Sequence, residues 1–216
     1  MPRPLEYGKW STDGSDHQIP LGNGLPEVSE SREVYRTGRD ALTLEEVDLL
    51  LRHATSYQDE LLLRVAIVTG IRREDLVAIR LEGVDVDTGA IQYYEAKKKR
   101  TRKVTVGGET LVALRKYVND FSRGGQYLFP GREGGVKHLS GKTAWNILDR
   151  ALRSAGLKPR PFHALRATCI KLAQKKGWTP EQVSELTGDT IKTIQTHYST
   201  PSHDEMSQVA REKALL

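Results

Sequence analysis

The sequence predicts a mainly α-helical domain that carries one small three-stranded antiparallel sheet. Apolar residues recur at helical spacing through most of the chain beyond residue 40, whereas alternation with a period of two is confined to about Leu81–Gly108. Asp-Thr-Gly marks the first turn inside the alternating stretch. With 216 residues, 38% of them hydrophobic and 28% charged, the chain can bury a real core, which excludes a disordered tail or a mini-protein.

The elements follow in order. LTLEEVDLLLRHA sets an apolar stripe behind a Thr43-x-x-Glu46 capping box, and YQDELLLRVAIVTG gives a second helix closed by Gly70. VDVDTGAIQYYEA and RKVTVGG alternate along each arm, with Asp87-Thr88-Gly89 as the first turn, so they form the three strands. Helical spacing returns in TLVALRKYV and in KTAWNILDRALRSAG, where Trp145, Leu148 and Leu152 share a face. Leu165, Cys169, Leu172 and Ala173 mark a helix ended by Gly177. Thr179-Pro180-Glu181-Gln182 combines an N-cap, a proline at the first helical position and a capping-box glutamine, and so starts another. Near the C-terminus, HDEMSQVAREKALL reads as a short amphipathic helix, too small to stand alone in water.

Residues 1–40 hold four of the nine prolines and no periodicity, and are expected to form an irregular arm or linker. They carry 5 basic and 7 acidic residues, which leaves 28 basic against 21 acidic, or +7, for 41–216. The positive charge therefore belongs to the folded part and favours an anionic partner. A single cysteine, Cys169, rules out an intramolecular disulfide and a Cys-rich zinc site. No apolar run reaches ~18 residues and no signal core opens the chain, so the expectation is a cytoplasmic protein without membrane contact.

Several residues stand out chemically. Arg72 follows a helix-ending glycine and begins the next helix, where the macrodipole disfavours a cation; Asp75, three residues on, could hold its guanidinium. AKKKRTRKV puts six basic residues among the seven from Lys97 to Lys103 at a hairpin tip, suited either to a phosphate backbone or to protecting a strand edge. His163 and Arg166 lie on one helix face opposite an apolar stripe, so they can act on one ligand or simply face solvent. Tyr198 shares helical spacing with Ile191 and Ile194, as a core tyrosine also would.

Two arginines, a hairpin lysine, a histidine and a late tyrosine in this order resemble the tyrosine recombinase (phage integrase) family. The resemblance covers roughly Ala41–Tyr198, the family's catalytic domain, with 199–216 as a tail helix that could dock on a neighbouring subunit. TGIRREDL resembles the first arginine motif through Arg72 and Asp75, and AKKKRTRKVTV the hairpin segment with Lys97 as catalytic lysine. HALRAT resembles the His-x-x-Arg signature through His163 and Arg166, and LTGDTIKTIQTHY the closing motif through Tyr198. The resemblance implies a site-specific recombinase that cuts DNA through a 3′-phosphotyrosine, with no cofactor, metal or ATP. Lys98, Lys99, Arg100, Arg102 and Lys103 would contact duplex DNA, and the chain would self-associate as a tetramer on paired sites.

Two departures from the family pattern shape the alternatives. Asp189 follows Gly188 where the family has His or Trp, so a hydrogen-bond donor to the phosphate is replaced by a carboxylate that repels it. Asp189 could equally cap the Tyr198 helix. The 40 irregular residues cannot supply the helical core-binding domain that relatives carry. A DNA-binding protein with weakened catalysis and a type IB topoisomerase-like nicking enzyme are the alternatives.

Overall fold

Two helices, α2 (Tyr57–Thr69) and α6 (His163–Lys175), form the centre on which the other elements pack. The computed structural model describes residues 40–121, 125–131, 136–197, 207 and 211, all within the unit Tyr35–Leu216. The expected arm, Tyr198 and nearly all of the tail lie outside the described residues.

Before the centre comes α1 (Leu44–Arg52), started by its capping box: the Thr43 hydroxyl accepts from Glu46 N–H at 3.2 Å, and the Glu46 carboxylate accepts from Thr43 N–H at 2.9 Å. In α2 the run Leu61, Leu62, Leu63, Val65, Ala66, Ile67 is buried around the circumference, so this helix reads as apolar rather than amphipathic. It ends at Gly70, whose φ of 64° lies in the left-handed region. A Cβ there would also crowd Thr187 Cγ2 at 3.1 Å and Cys169 Sγ at 3.3 Å, so the glycine serves close packing as well as the turn.

After the short α3 (Arg73–Val77), strands β1 (Val84–Asp85), β2 (Ala90–Glu95) and β3 (Arg100–Thr105) form an antiparallel sheet in the order β1-β2-β3. The β2–β3 register runs from Ala90 opposite Thr105 to Glu95 opposite Arg100, leaving residues 96–99 as the hairpin turn. Ile91, Tyr93 and Glu95 of β2 and Arg102 and Val104 of β3 point inward. Then follow α4 (Gly108–Phe121), α5 (Gly141–Ser154), capped by Ser140, and α6. The predicted capping box of Thr179 and Gln182 opens α7 (Pro180–Thr187), and α8 (Ile191–His197) ends the described helices of this region. The main core joins α1 to α5, the sheet and the start of α6. Ile194 of α8 belongs to a second cluster with Ala167, Ile170, Ala173 and Val183.

Trp145 shares a face with Leu148 and Leu152 but not their burial: it is 38% exposed, at the edge of the core stripe. Two expectations are corrected. Helix α6 has no polar stripe along its first two turns, because Ala164 through Ile170 are all buried, Arg166 included. Asp189 is not the cap of α8; the Thr190 hydroxyl accepts from Thr193 N–H at 3.1 Å in that role. Of the predicted C-terminal helix only Ser207 and Arg211 are described, and both are helical.

Candidate active site

A cavity of about 690 Å³ opens where the start of α3, the hairpin turn, α5 and the start of α6 meet, lined by Arg72, Asp75, Lys97, Trp145, His163 and Arg166 among others. Segments distant in sequence thus bring four of the six predicted catalytic residues to one place. Asp189 stands directly behind them.

Arg166 is 3% exposed, and every part of its guanidinium is engaged. Nη1 donates to Gly70 O at 2.5 Å, Nη2 to Thr187 O at 2.9 Å, and Nε and Nη2 form a two-pronged contact with Asp189 at 3.0 and 2.7 Å. Such a set compensates a buried charge, which is otherwise strongly unfavourable. Arg72, at the N-cap of α3, offers its planar fork to two carboxylates: Nη1 to Glu95 Oε1 at 2.5 Å and Nη2 to Asp189 Oδ1 at 3.2 Å. Asp189 therefore bridges both arginines. Its pull toward two guanidiniums explains why Thr190, rather than Asp189, caps α8.

Glu95 escaped notice in the sequence. It is 1% exposed and accepts from both Arg72 and Arg100 Nε, the latter at 2.9 Å. Burial works against its charge, yet the hydrogen bonds from Arg100 and Arg72 and the nearby Lys98 hold the carboxyl below its ordinary range. Strand parity was the available signal, since Glu95 follows Ile91 and Tyr93 on the inward face. Asp75, expected to hold Arg72, instead accepts from Ala96 N–H at 3.1 Å and so fixes the turn before Lys97. Burial pushes its carboxyl up, opposed by that hydrogen bond and by Arg72, and its second oxygen has no partner among the described residues.

The basic hairpin divides by function. Lys97 is exposed on the cavity rim, in the short 3-10 turn Ala96–Lys98, and Lys99 and Lys103 are also exposed. Lys99 has a φ of 49°, the one non-glycine residue in the left-handed region among the described residues. Lys98 donates to Gly188 O, and Arg100 is taken up by Glu95. Arg102, predicted as a DNA contact, is 8% exposed and donates to Glu185 O and, at 3.2 Å, to Tyr93 Oη. Its position two residues before Val104 on β3 turns it inward. Gly188, with φ of 76°, closes α7, and a Cβ there would run into the Arg102 guanidinium and lie 3.3 Å from Glu95 Oε1. The hairpin thus grips the turn that holds Asp189 and leads into α8.

Partial desolvation and then the Arg166 guanidinium push the His163 imidazole below its ordinary value of 6.5, so it is neutral at pH 7 and can accept a proton. Cys169 is a poor alternative nucleophile: burial raises its thiol to about 12. Among the described residues no three His, Cys, Asp or Glu side chains gather as a metal site would, and no helix is long and apolar enough to cross a membrane.

The chain has recognisable relatives. Residues 40–204 match the phage integrase family model, and the chain belongs to that family. It is 25% identical over 199 residues to a tyrosine recombinase XerA of Pyrococcus furiosus, covering 89% of this chain and 69% of the relative. It is also 34% identical over 176 residues to a tyrosine recombinase XerC of Xanthomonas axonopodis pv. citri, covering 80% of this chain and 54% of the relative. The chain thus spans between about half and about two thirds of these relatives' lengths. The crystal structure of a XerA recombinase shares the fold at a TM-score of 0.71 and 19% identity, over 82% of this chain and 66% of that one. A lambda integrase dimer bound to a COC′ core site does so at 0.61 and 21%, over 74% and 47%.

Proposed function

We propose that this chain is the catalytic domain of a site-specific DNA recombinase that cuts and rejoins duplex DNA through a 3′-phosphotyrosine at Tyr198. The convergence of Arg72, Lys97, His163 and Arg166 on one cavity carries the reading. A phosphodiester resists attack because negative charge grows on its oxygens in the transition state, so pre-positioned cations lower the barrier. Arg72 and Arg166 are the planar cations for the non-bridging oxygens, and their forks reach a phosphate as it displaces Asp189. Tyr198 Oη bonds to phosphorus, the bond from phosphorus to the 5′-oxygen breaks, and Lys97 gives that oxygen its proton. His163 takes the tyrosine proton and, so charged, can hydrogen-bond the phosphate. The tyrosyl phosphodiester keeps the energy of the broken bond, and a 5′-hydroxyl from a partner strand reverses the step. Exchange needs paired sites, so the reading includes self-association on DNA, with the arm at 1–40, the catalytic domain at 41–198 and the tail at 199–216. A duplex library, nicked beside a randomised core and resolved by denaturing electrophoresis, tests the reading and supplies a captured substrate: a covalent protein–DNA band supports it, and none in any duplex refutes it.

In Lys97→Ala the lost proton should be replaceable by a better leaving group. A 5′-bridging phosphorothioate is expected to restore most of the on-the-order-of 10²–10⁴-fold loss in single-turnover cleavage, because sulfur leaves unprotonated. Rescue of Arg72→Ala to the same degree would defeat this division of roles.

DNA affinity is expected to follow the exposed lysines. Neutralising Lys99 and Lys103 should weaken specific and random duplex alike and flatten the salt dependence by about 0.9 log unit per lost contact. Arg102→Met should leave the salt slope alone, because that side chain is spent on the turn at Gly188. Lys98 and Arg100, engaged with Gly188 O and Glu95, should contribute less than Lys99.

One observation favours a catalytically weakened DNA-binding protein: Asp189 occupies both arginine forks. With Glu95 on Arg72 as well, two carboxylates neutralise two guanidiniums before any phosphate arrives. Asp189→His removes the competing charge and restores a donor. A well-placed donor is worth on the order of 10²–10³ in rate, so cleavage on the order of 10-fold faster is expected even if placement is imperfect. Stability should fall through the lost ion pairs, not through a lost cap. Unchanged single-turnover cleavage with intact DNA binding would mean that Asp189 does not limit the chemistry.

A further inference from the structure

Trp145 lines the cavity that holds Arg72, Lys97, His163 and Arg166, and it is the large aromatic there that stays open, at 38% exposure. Phe162, on the same wall, is buried at 6%. The position of Trp145 on α5 explains the difference, since Leu148 and Leu152 of that helix are wholly buried while Trp145 lies at the edge of their stripe, beside the cavity. A tryptophan 38% exposed beside these cations leaves part of its ring open to a ligand in the cavity. The cavity also exceeds what a phosphate group fills.

A phosphodiester brings a sugar and a base on either side. The cationic wall suits the phosphate, and the indole face suits the neighbouring nucleotide, because every base has a π-face and stacking tolerates any sequence. Resting on the function proposed above, we propose that Trp145 stacks on a nucleotide flanking the scissile phosphate and so fixes that phosphate in the arginine pair. Trp145 touches substrate without taking part in bond making. Its effect falls on capture and placement of the DNA, and any flat aromatic ring keeps part of it.

The test uses captured duplexes in which one or the other nucleotide flanking the scissile phosphate is replaced by an abasic tetrahydrofuran residue. On unmodified duplex, Trp145→Ala is expected to lower the rate of adduct formation at subsaturating DNA about 10- to 100-fold, and Trp145→Phe to keep most of it. The parent chain should lose a similar factor on one of the two abasic duplexes, and Trp145→Ala should lose little more there, since the stacking partner is already gone. Equal rates for the parent chain and Trp145→Ala on unmodified duplex, or losses that multiply at both abasic positions, would overturn the contact. Emission from Trp145, isolated by Trp10→Phe and Trp178→Phe, needs no chemistry. Quenching by saturating captured duplex, or by random duplex at low salt if no adduct ever forms, supports the stacking; unquenched emission overturns it. Absence of adduct in the parent chain refutes the proposed function instead, so the two failures are separable.

Discussion

Tyr198→Phe is expected to bind DNA as tightly as the parent chain and to form no covalent adduct. The substitution removes one hydroxyl and keeps the ring, so its cost in packing is small. Among the described residues of the site nothing else can take over the attack. The described lining of the cavity contains no Ser, Thr, Cys or Tyr, and the buried Cys169 thiol, raised to about 12, is almost wholly protonated near neutral pH. Adduct formation should therefore fall below detection rather than to a slow residual rate. Thermal unfolding and the salt slope of DNA binding, measured on the same preparation, separate loss of chemistry from loss of fold.

Arg166→Ala is expected to damage both chemistry and stability. A preorganised donor to a developing oxyanion is worth on the order of 10²–10³ in rate, and Arg166 supplies one of the two planar forks. The same side chain is buried and satisfies Gly70 O and Thr187 O while it pairs with Asp189. Its removal leaves Asp189 with the more distant Arg72 and strips two buried carbonyls of their donor, which should cost about 3–5 kcal/mol. Arg166→Lys separates the two effects, since it retains charge but not the fork. Arg72→Ala should lose rate without comparable instability, because Arg72 is only partly buried and makes no backbone contact of this kind.

The fold was legible in the sequence wherever local chemistry decides it. The Thr43 and Thr179 capping boxes, the Gly70 stop and the three-stranded sheet all follow from patterns a few residues long. The site was legible as a set of residue types, because Arg72, Lys97, His163 and Arg166 stand in recognisable motifs. The partners of those residues were not, since Glu95, Asp189 and Gly70 O meet the arginines only through tertiary packing. Arg102 and Glu95 show where a stricter reading would have gone further. Each sits at the inward parity of its strand, and a buried charge at that position demands an internal partner, whereas charge density alone sent the whole hairpin to DNA. Trp145 shows the limit of spacing alone: a shared face with Leu148 and Leu152 is compatible with a place at the edge of the stripe, and only the cavity beside it distinguishes edge from core.

The central claim is that the four converging residues act on one phosphate attacked by Tyr198. It is tested most directly by digesting the adduct trapped on a nicked captured duplex and locating the bound nucleotide by mass spectrometry. The account predicts a single modified peptide, with Tyr198 linked to the 3′-phosphate of the cleaved strand and a free 5′-hydroxyl on the released end. A linkage at any other residue, or to a 5′-phosphate, would contradict it.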